Sequence, residues 1–338
     1  MRAVGLNRYL PITEPDSLVD LELPVPQPTG TDLLVRVQAI SVNPVDVKVR
    51  APKALVEPAP RVLGWDAAGV VEAVGDSVTL FRPGDAVYYA GDITRPGCNA
   101  QFHLVDQHIV AAMPRSLDFA HAAALPLTAI TAWELLFDRF GIDPDGFHSG
   151  RSLLILGGAG GLGSMVIQLA RLAGLRVIAT ASRPESADWC RSLGAEAVLD
   201  HGMPLRPQLE SLGLAHVDYI ANLVDVVAYW EVMADLIAPQ GCIGLVSEPS
   251  GPVRLGGPLK EKSVSLHWEF MFTRPMFSTA DRLEQHRLLT RIAALVDAGT
   301  VRGTARQVLT PINARQLREA HARIESGRTV GKIVLEGW

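Results

Sequence analysis

A glycine-rich segment in the middle of the 338-residue chain constrains the fold more than any other feature. Residues 152–170 form an uncharged window that is long enough to suggest a membrane span. Five glycines interrupt the window, however, and Ser164 and Gln168 within it are polar. A short strand, a turn and a helix that ends at Gly174 therefore explain the window better than a membrane helix does.

The turn itself fits the pattern G-x-G-x-x-G, and its six positions are Gly158, Ala159, Gly160, Gly161, Leu162 and Gly163. Small residues let the backbone approach a pyrophosphate, and free N–H groups at the start of the helix face its negative charge. No Lys-Ser or Lys-Thr pair follows the glycines, which disfavours a nucleoside-triphosphate P-loop. The turn predicts dinucleotide binding, and a turn that serves only close packing is the alternative.

The residues about 20 positions beyond the turn bear on the choice of dinucleotide. An NAD site places an Asp or Glu there to hold the ribose hydroxyls, whereas this chain has Ala181, Ser182 and Arg183 after an apolar run at 176–180. A serine hydroxyl and a guanidinium suit a 2′-phosphate through hydrogen bonds and charge. NADPH is therefore favoured over NADH, unless Arg183 is only a solvated residue at the start of a helix.

The character of the sequence changes near residue 125. Before it, nine prolines fall within the first 60 residues, and short β-branched runs such as 33–37, 68–74 and 86–89 are separated by turn signals. This texture is typical of a β-rich domain, a distorted barrel or sandwich. After it, apolar strands alternate with helices, which indicates a parallel sheet covered on both faces.

We therefore predict an α/β protein with two domains. A Rossmann domain that binds NADP(H) covers residues 126–274, and a β-rich domain covers 1–125 and 275–338. Helices are expected near 288–298 and 314–324, a late strand at 264–272 and a closing strand at 332–335. The last 45 residues are expected to return to the first domain.

Composition excludes several other classes of protein. A formal net charge of −5 argues against a dedicated nucleic-acid binder. The three cysteines are too few and too scattered for a disulfide framework or a Cys-rich zinc cluster. Four acidic residues in the first 22 do not suit a signal peptide. We expect a cytoplasmic protein that binds neither nucleic acid nor membrane.

Several motifs in a fixed order resemble one known family. They are 39–46 (AISVNPVD), 60–71 (PRVLGWDAAGVV), 82–87 (RPGDAV), 122–133 (AAALPLTAITAW), the glycine turn and 266–272 (LHWEFMF). Over nearly its whole length the chain resembles the medium-chain dehydrogenase/reductase superfamily, in its quinone oxidoreductase-like and "zinc-type alcohol dehydrogenase-like" branch. The resemblance implies a GroES-like catalytic domain that binds the substrate, over 1–125 and 275–338, a Rossmann domain and a cleft between them.

The chain departs from its zinc-dependent relatives where they hold the catalytic metal. Their Cys, His and Cys ligands match Asn43, Trp65 and approximately Leu127, and only Cys98 stands where a structural zinc loop would fall. Trp and Leu cannot coordinate zinc, so we expect no bound zinc. Without a Lewis acid an alkoxide is poorly stabilised. The acceptor expected for hydride from NADPH is therefore an enone, an enal or a quinone.

The resemblance also implies roles for individual residues. Asn43 and Thr131 would line the nicotinamide, with the Asn43 amide directed at the substrate oxygen, and Tyr88 or Tyr89 would supply a proton. The other cofactor and pocket residues implied are Leu223, Val246, Phe270, Phe272 and Lys332 for the cofactor, and Trp65, Phe270, Phe272 and Tyr89 for the substrate.

Plainer interpretations remain open for several of these residues. Asn43 could be a turn residue before Pro44, Asp46 could be structural, and the tyrosines and the aromatic residues could simply pack in the core. For the whole protein, the alternatives are an NADPH-binding module without robust catalysis and a reductase of another carbonyl class. A homodimer formed along the late apolar strand is also expected.

Overall fold

The computed structural model describes residues 1–146 and 150–338 and has a mixed α/β architecture. The chain forms two compact units. The first comprises Met1–Ile130 together with Phe272–Trp338, and the second comprises Thr131–Met271. The C-terminal residues from Phe272 onward thus group with the N-terminal residues in one unit.

Sixteen strands occur in the described residues. In chain order they are β1 (Arg2–Tyr9), β2 (Val19–Glu22), β3 (Asp32–Val42), β4 (Lys53–Val62), β5 (Ala67–Val74), β6 (Ala86–Tyr89), β7 (Phe102–Asp106), β8 (Val110–Ala112), β9 (Ser152–Leu156), β10 (Arg176–Thr180), β11 (Ala197–Leu199), β12 (Val217–Asn222), β13 (Ile237–Leu245), β14 (Ser265–Trp268), β15 (Ala305–Leu309) and β16 (Lys332–Glu336).

Eleven α-helices occur in the same residues. They are α1 (Pro44–Arg50), α2 (Phe119–Ala123), α3 (Pro126–Trp133), α4 (Gly161–Leu172), α5 (Pro184–Leu193), α6 (Leu205–Ser211), α7 (Val226–Leu236), α8 (Pro258–Glu261), α9 (Thr273–Met276), α10 (Glu284–Asp297) and α11 (Ala314–Glu325). A π-helical turn, Glu134–Arg139, directly follows α3. Two short 3₁₀ turns lie at Pro15–Ser17 and Gln107–Ile109.

The first unit is built on two sheets. Strands β2, β1 and β4 form a three-stranded antiparallel sheet. A seven-stranded sheet runs in the order β15-β16-β3-β5-β6-β8, and β7 also pairs with β3. All its pairings are antiparallel except that of β15 with β16. Ile333 of β16 lies opposite Val42 of β3, so the C-terminal strand pairs with a strand from the N-terminal part of the chain in this sheet.

The second unit contains one parallel sheet of six strands in the order β11-β10-β9-β12-β13-β14. This is the doubly wound Rossmann order, and the strand order reverses between β9 and β12. Every residue of β9 is buried, as expected for a strand covered on both faces. Helix α5 ends at Gly194, whose φ of +110° requires glycine.

The uncharged window at 152–170 is strand β9, the glycine turn and most of α4, as the sequence predicted. Another stretch, Phe119–Arg139, is long and apolar enough to cross a membrane by length and composition, yet 89% of its most apolar window is buried inside the protein. Such burial is what a core helix of a folded domain shows.

The late strand is shorter than predicted. We expected it over 264–272, but β14 covers only Ser265–Trp268. Its ladder partner β13 ends at Leu245, and the Glu269 N–H makes the last bond to the Leu245 carbonyl oxygen, at 2.9 Å. The chain then turns into α9, so Phe272 belongs to the first unit and not to the parallel sheet.

Candidate cofactor-binding edge and buried polar cluster

The glycine turn connects β9 to α4 with almost no room for side chains at two of its positions. A Cβ on Gly163 would lie 2.4 Å from the Gly157 carbonyl oxygen, and one on Gly158 would lie 2.7 Å from the Cβ of Ala179. Gly160, by contrast, faces open space with no atom within 4 Å of a Cβ built there. The turn is thus closely packed around Gly158 and Gly163, whereas Gly160, the N-cap residue of α4, has open space beside it. These are the conditions under which a pyrophosphate can approach the helix N-terminus.

The other predicted cofactor residues of the second unit lie at the same edge of the sheet. In a parallel sheet all carboxyl ends meet at one edge, and ligands bind there at the point where the strand order reverses. Ser182 and Arg183 follow β10, Leu223 directly follows β12, Val246 directly follows β13, and Phe270 comes two residues after β14. The fold therefore collects these residues at the edge that carries the glycine turn.

Ser182 and Arg183 occupy the loop between β10 and α5. Ser182 is exposed, and Arg183 is half-buried at the N-cap of α5. The next acidic residue along the chain, Glu185, lies in the first turn of that helix. Thr180, the last residue of β10, uses its hydroxyl oxygen to accept the Gly157 N–H at 3.0 Å, which ties this loop to the glycine turn. The arrangement is compatible with a phosphate on the ribose 2′-oxygen.

A buried amide at the same edge supports the presence of a ligand. Asn222, at the end of β12, is fully buried, and its Oδ1 accepts the Val224 N–H at 3.1 Å. Its Nδ2 has no acceptor among the described residues. Unpaired buried donors are uncommon in folded proteins, and a polar ligand at this edge would satisfy this one. The residues at the edge thus fit a bound dinucleotide.

A second candidate site is a buried polar cluster in the first unit, centred on Asp66. Asp66 Oδ2 accepts hydrogen bonds from Asn43 Nδ2 and from Lys332 Nζ, both at 2.8 Å. Asp66 Oδ1 accepts the backbone N–H of Leu127 at 2.8 Å. The Asn43 side-chain oxygen in turn accepts a hydrogen bond from Lys332 Nζ. Asn43 directly follows β3, Asp66 lies between β4 and β5, Leu127 lies at the start of α3, and Lys332 is the first residue of β16.

The cluster places one cation beside two carboxyl groups. Burial raises the pKa of Asp66, while the Lys332 ammonium and the Asn43 amide oppose that rise. Asp46, at the start of α1, accepts the Asn43 backbone N–H at 2.7 Å, and its burial raises its pKa to about 7. An ammonium carries three N–H donors, and Lys332 has two side-chain acceptors among the described residues. One donor therefore remains for a ligand.

This cluster does not fit a catalytic zinc ion. The resemblance places Asn43, Trp65 and approximately Leu127 at the ligand positions of zinc-dependent relatives, and the side chains of these three residues include only one amide oxygen. That oxygen already accepts a bond from Lys332. A positive ammonium repels a metal cation, and indole and isobutyl groups cannot ligate zinc. Among residues 1–146 and 150–338, no group of three or more His, Cys, Asp or Glu side chains is arranged to hold a metal ion.

The two tyrosines lie deep in the first unit. The Tyr88 hydroxyl donates to the Leu289 carbonyl oxygen at 2.6 Å, and burial raises its pKa well above the usual range. The Tyr89 hydroxyl lies 3.1 Å from His103 Nδ1, and the two rings are stacked. Both side chains are fully buried. These contacts favour the core-packing interpretation over that of a proton donor.

The remaining predicted residues divide between the two units. Trp65 and Phe272 meet edge to face in the first unit, with ring centroids 6.0 Å apart, and both are buried. In the second unit, Thr131 is buried in α3, and Phe270 is 45% exposed.

Sequence reasoning missed three buried acidic residues, of which Asp66 forms the centre of the polar cluster. Asp66 was noted only within a motif, and Glu134 and Glu269 received no role. All three are buried. A usable signal was present, because each is a single acidic residue in a run of apolar ones, and such charges are rarely buried without a partner.

Comparisons with known proteins agree with this architecture. Residues 29–115 match the family described as alcohol dehydrogenase GroES-like domain, and residues 193–335 match the family described as zinc-binding dehydrogenase. A zinc-type alcohol dehydrogenase-like protein of Staphylococcus epidermidis is 40% identical over 336 residues, 99% of each chain. The chain belongs to the medium-chain dehydrogenase/reductase superfamily. The fold class and the resemblance predicted from the sequence are thereby confirmed.

Two further relatives carry information on structure and activity. The structure of a proposed zinc-dependent alcohol dehydrogenase from Rhizobium etli CFN 42 is 51% identical, with a TM-score of 0.95 and coverage of 100% of this chain and 98% of that one. A 2-methylene-furan-3-one reductase of Solanum lycopersicum is 31% identical over 323 residues, 92% of this chain and 73% of that protein. Membership of this superfamily makes the protein an oxidoreductase.

Proposed function

We propose that this oxidoreductase is an NADPH-dependent, zinc-independent reductase of conjugated acceptors, either enones and enals or quinones. The observation that carries the proposal is the buried ammonium of Lys332, which is held by Asp66 and Asn43. The name of the tomato relative also describes the reduction of a methylene-substituted furanone, which is an enone.

Residues of the second unit would bind the cofactor in this proposal. The pyrophosphate binds at the N-terminus of α4, beside Gly160. The first backbone N–H groups of a helix lack intrahelical partners and can donate to it, and the space beside Gly160 is open. Ser182 and Arg183 hold the 2′-phosphate, which no carboxylate in the loop between β10 and α5 repels. Asn222 Nδ2 donates to a polar group of the ligand.

Residues of the first unit would act on the acceptor. Bound NADPH supplies a hydride. As the new C–H bond forms at the β-carbon of an enone, the electron pair of the C=C bond moves toward the carbonyl oxygen, and water later returns a proton to the α-carbon. The Lys332 ammonium stabilises the charge that develops on this oxygen, and Asp66 and Asn43 fix its position before the reaction. A simple alcohol gains little, because the ammonium is a weaker electrophile than a metal ion.

The direct test measures NADPH oxidation with 2-alkenals, cyclic enones, quinones and saturated aldehydes. Turnover of a conjugated acceptor, with saturated aldehydes much slower, supports the proposal. We expect Lys332→Met to lower kcat by about 10²- to 10³-fold, the usual effect of losing one such donor. Tight NADPH binding without turnover of any acceptor would contradict the proposal and favour a binding module.

A double variant separates catalysis from charge balance. Lys332→Met leaves Asp66 without its cation, whereas Lys332→Met/Asp66→Asn removes both charges. If Lys332 acts on the acceptor, the double variant regains stability but stays slow. Recovery of activity in the double variant would show that Lys332 only neutralises Asp66.

A further inference from the structure

A chain of hydrogen bonds connects α5 to the glycine turn through a buried serine. Trp189, on α5, donates its Nε1–H to Ser164 Oγ at 2.8 Å. The Ser164 hydroxyl, in the first turn of α4, donates in turn to the Gly160 carbonyl oxygen at 2.7 Å. Ser164 is fully buried, so water does not compete for these two bonds.

The chemistry of the three groups fixes the direction of this chain. An indole N–H can only donate, so the Ser164 hydroxyl oxygen accepts from Trp189, and its single proton is directed to Gly160. The Gly160 carbonyl oxygen also accepts the Ser164 backbone N–H at 2.9 Å, which is the first hydrogen bond of the helix. Two donors of one residue therefore hold this carbonyl oxygen.

The Gly160 carbonyl belongs to the same peptide unit as the Gly161 N–H. Gly161 is the first residue of α4, so its N–H has no acceptor within the helix. A trans peptide unit is planar, and its C=O and N–H point in opposite directions. Holding the carbonyl toward Ser164 therefore directs the Gly161 N–H out of the helix N-terminus. Consecutive hydrogen bonds also polarise one another, which makes this N–H a stronger donor.

Helix α5 also packs directly on the glycine turn. The helix contacts α4, and Cys190 Sγ lies 3.1 Å from the position that a Cβ on Gly158 would occupy. Arg183, to which we assign the 2′-phosphate, is the N-cap residue of the same helix. One helix thus reaches both phosphate sites of the proposed cofactor, the first through its N-cap residue and the second through Trp189.

We propose that Trp189 and Ser164 are positioning residues that direct the Gly161 N–H toward the pyrophosphate of the dinucleotide. Ser164 acts on the peptide unit directly, and Trp189 acts through Ser164. The binding of a pyrophosphate at this turn rests on the proposed function. The preference for NADPH does not enter, because NADPH and NADH carry the same pyrophosphate.

Cofactor titrations of Ser164→Ala, Trp189→Phe and the double variant test the chain. Ser164→Ala removes the hydroxyl and should raise the Kd of NADPH and of NADH by the same factor, about three- to tenfold, as the loss of one neutral hydrogen bond predicts. Trp189→Phe keeps an aromatic ring but removes the N–H, so it should raise both values by a smaller factor. Because Trp189 acts through Ser164, the double variant should bind no more weakly than Ser164→Ala.

The amide resonance of Gly161 gives a readout that does not depend on a ligand. Two consecutive glycines occur at three places in the sequence, 157–158, 160–161 and 256–257. In protein whose glycines carry ¹³C at the carbonyl and ¹⁵N at the amide, an NMR experiment that correlates each amide with the preceding carbonyl carbon detects only the second glycine of each pair. The Gly161 amide is therefore one of three expected signals.

Loss of a hydrogen bond to the Gly160 carbonyl returns electron density to the peptide nitrogen. In the ligand-free protein we expect Ser164→Ala to shift the Gly161 ¹⁵N resonance upfield and Trp189→Phe to shift it in the same direction by less. The Gly257 resonance should stay in place in both variants. A role of Trp189 in packing alone would leave the Gly161 signal of Trp189→Phe where it is in the wild type.

Trp230→Phe is the matched control, because Trp230 Nε1 donates to the Arg254 carbonyl oxygen at 2.9 Å from α7. This variant loses the same kind of bond outside α4, α5 and the glycine turn. Its stability should fall about as much as that of Trp189→Phe, with the Kd of both dinucleotides and the Gly161 resonance unchanged.

Three results would overturn the inference. Independent, multiplying losses of affinity in the double variant would show that Trp189 does not act through Ser164. An unshifted Gly161 resonance in Ser164→Ala would show that the hydroxyl does not set this peptide unit. Unchanged dinucleotide affinity in Ser164→Ala would remove the positioning role. Ser164→Cys, which keeps the size of the side chain but is a weaker donor, serves the same comparisons if Ser164→Ala does not fold.

Failure of the proposed function has a different signature. A wild type that binds neither NADPH nor NADH contradicts the proposed function, and one that prefers NADH contradicts the choice of cofactor. The Gly161 resonance of the ligand-free variants decides in either case whether Trp189 and Ser164 set the peptide unit.

Discussion

The buried ion pair between Lys332 and Asp66 is held in place by the other hydrogen bonds that Asp66 accepts. Removing one member of a buried ion pair typically costs about 3–5 kcal/mol, because the other charge stays unpaired. Asp66 is satisfied on both oxygens, by Lys332 and Asn43 on one and by the Leu127 N–H on the other. The ammonium is therefore fixed in place, as a group must be if it is to stabilise charge during a reaction.

The sequence predicted Asn43 and Lys332 as site residues but not their contact. They lie 289 positions apart, and they meet only because β16 pairs with β3 in the register that sets Ile333 against Val42. Nothing in the local pattern of either segment specifies that register. Ser182 and Arg183 were easier to predict, because the glycine turn, β10 and the start of α5 are consecutive along the chain.

Cofactor choice is testable at the level of single residues. Arg183→Ala should weaken NADPH binding and leave NADH binding nearly unchanged. A charge-assisted contact is worth about 1.5–3 kcal/mol, or about 10- to 150-fold in affinity. Ser182 is exposed and Arg183 half-buried, so we expect the lower half of that range, weakening further as salt rises.

Ser182→Asp should shift the preference further toward NADH, because it repels the 2′-phosphate and accepts from the ribose hydroxyls. The measurement is the Kd of each cofactor for the three proteins. Equal losses for NADPH and NADH in Arg183→Ala would assign Arg183 a structural role only, and a wild type that prefers NADH would end the assignment.

At the scale of elements, the strands and helices of the second unit follow local signals. Helix α5, for example, begins at Pro184 and is followed by Gly194, and both residues are local signals of helix boundaries. Strand β4 was not predicted, since Pro58 and Pro60 break the strand pattern; the structure places it at the edge of its sheet, where prolines are tolerated. The π-helical turn has no sequence signal of its own.

The glycine turn allows a prediction at this scale. Gly163→Ala forces a Cβ onto the Gly157 carbonyl oxygen, so we expect it to lower the free energy of unfolding by roughly 1–3 kcal/mol. Gly160→Ala meets open space, and its φ of −70° suits alanine, so stability should stay within about 0.5 kcal/mol. Its methyl group would instead stand where the pyrophosphate approaches.

Urea unfolding gives the free energy of unfolding of each variant and of the wild type, and NADPH titration gives their affinities for the cofactor. Gly160→Ala should lose at least tenfold in NADPH affinity while remaining as stable as wild type. Unchanged NADPH affinity in Gly160→Ala would mean that the turn serves packing alone.

At the scale of the molecule, the pattern of apolar runs, prolines and turn signals predicted a β-rich domain and an α/β domain. The order of the strands in each sheet, and which strands lie at its edges, became known only from the structure. Within the described residues β14 pairs with β13 alone, so it forms an edge of the parallel sheet. Its Leu266 and Trp268 are 38% and 54% exposed. Exposed apolar edge strands invite pairing with another chain. We propose a homodimer formed along this edge.

Sedimentation velocity tests the dimer. We expect the wild type at twice the chain mass of 36.4 kDa and Trp268→Lys shifted to the monomer, because a charge at the centre of an apolar interface is costly to bury. Phe277→Lys, at a more exposed apolar residue of the first unit, should leave the mass unchanged. A wild-type monomer at every concentration would contradict the dimer.

Transfer of isotope from NADPH to product tests the central claim most directly. The enzyme is incubated with a 2-alkenal and NADPH that carries deuterium at the transferred position of the nicotinamide, and the product is analysed by NMR. Reduction of the conjugated bond predicts a saturated aldehyde with one deuterium at the β-carbon and none at the carbonyl carbon. An allylic alcohol with deuterium at the carbonyl carbon would contradict this account, and so would a product without deuterium.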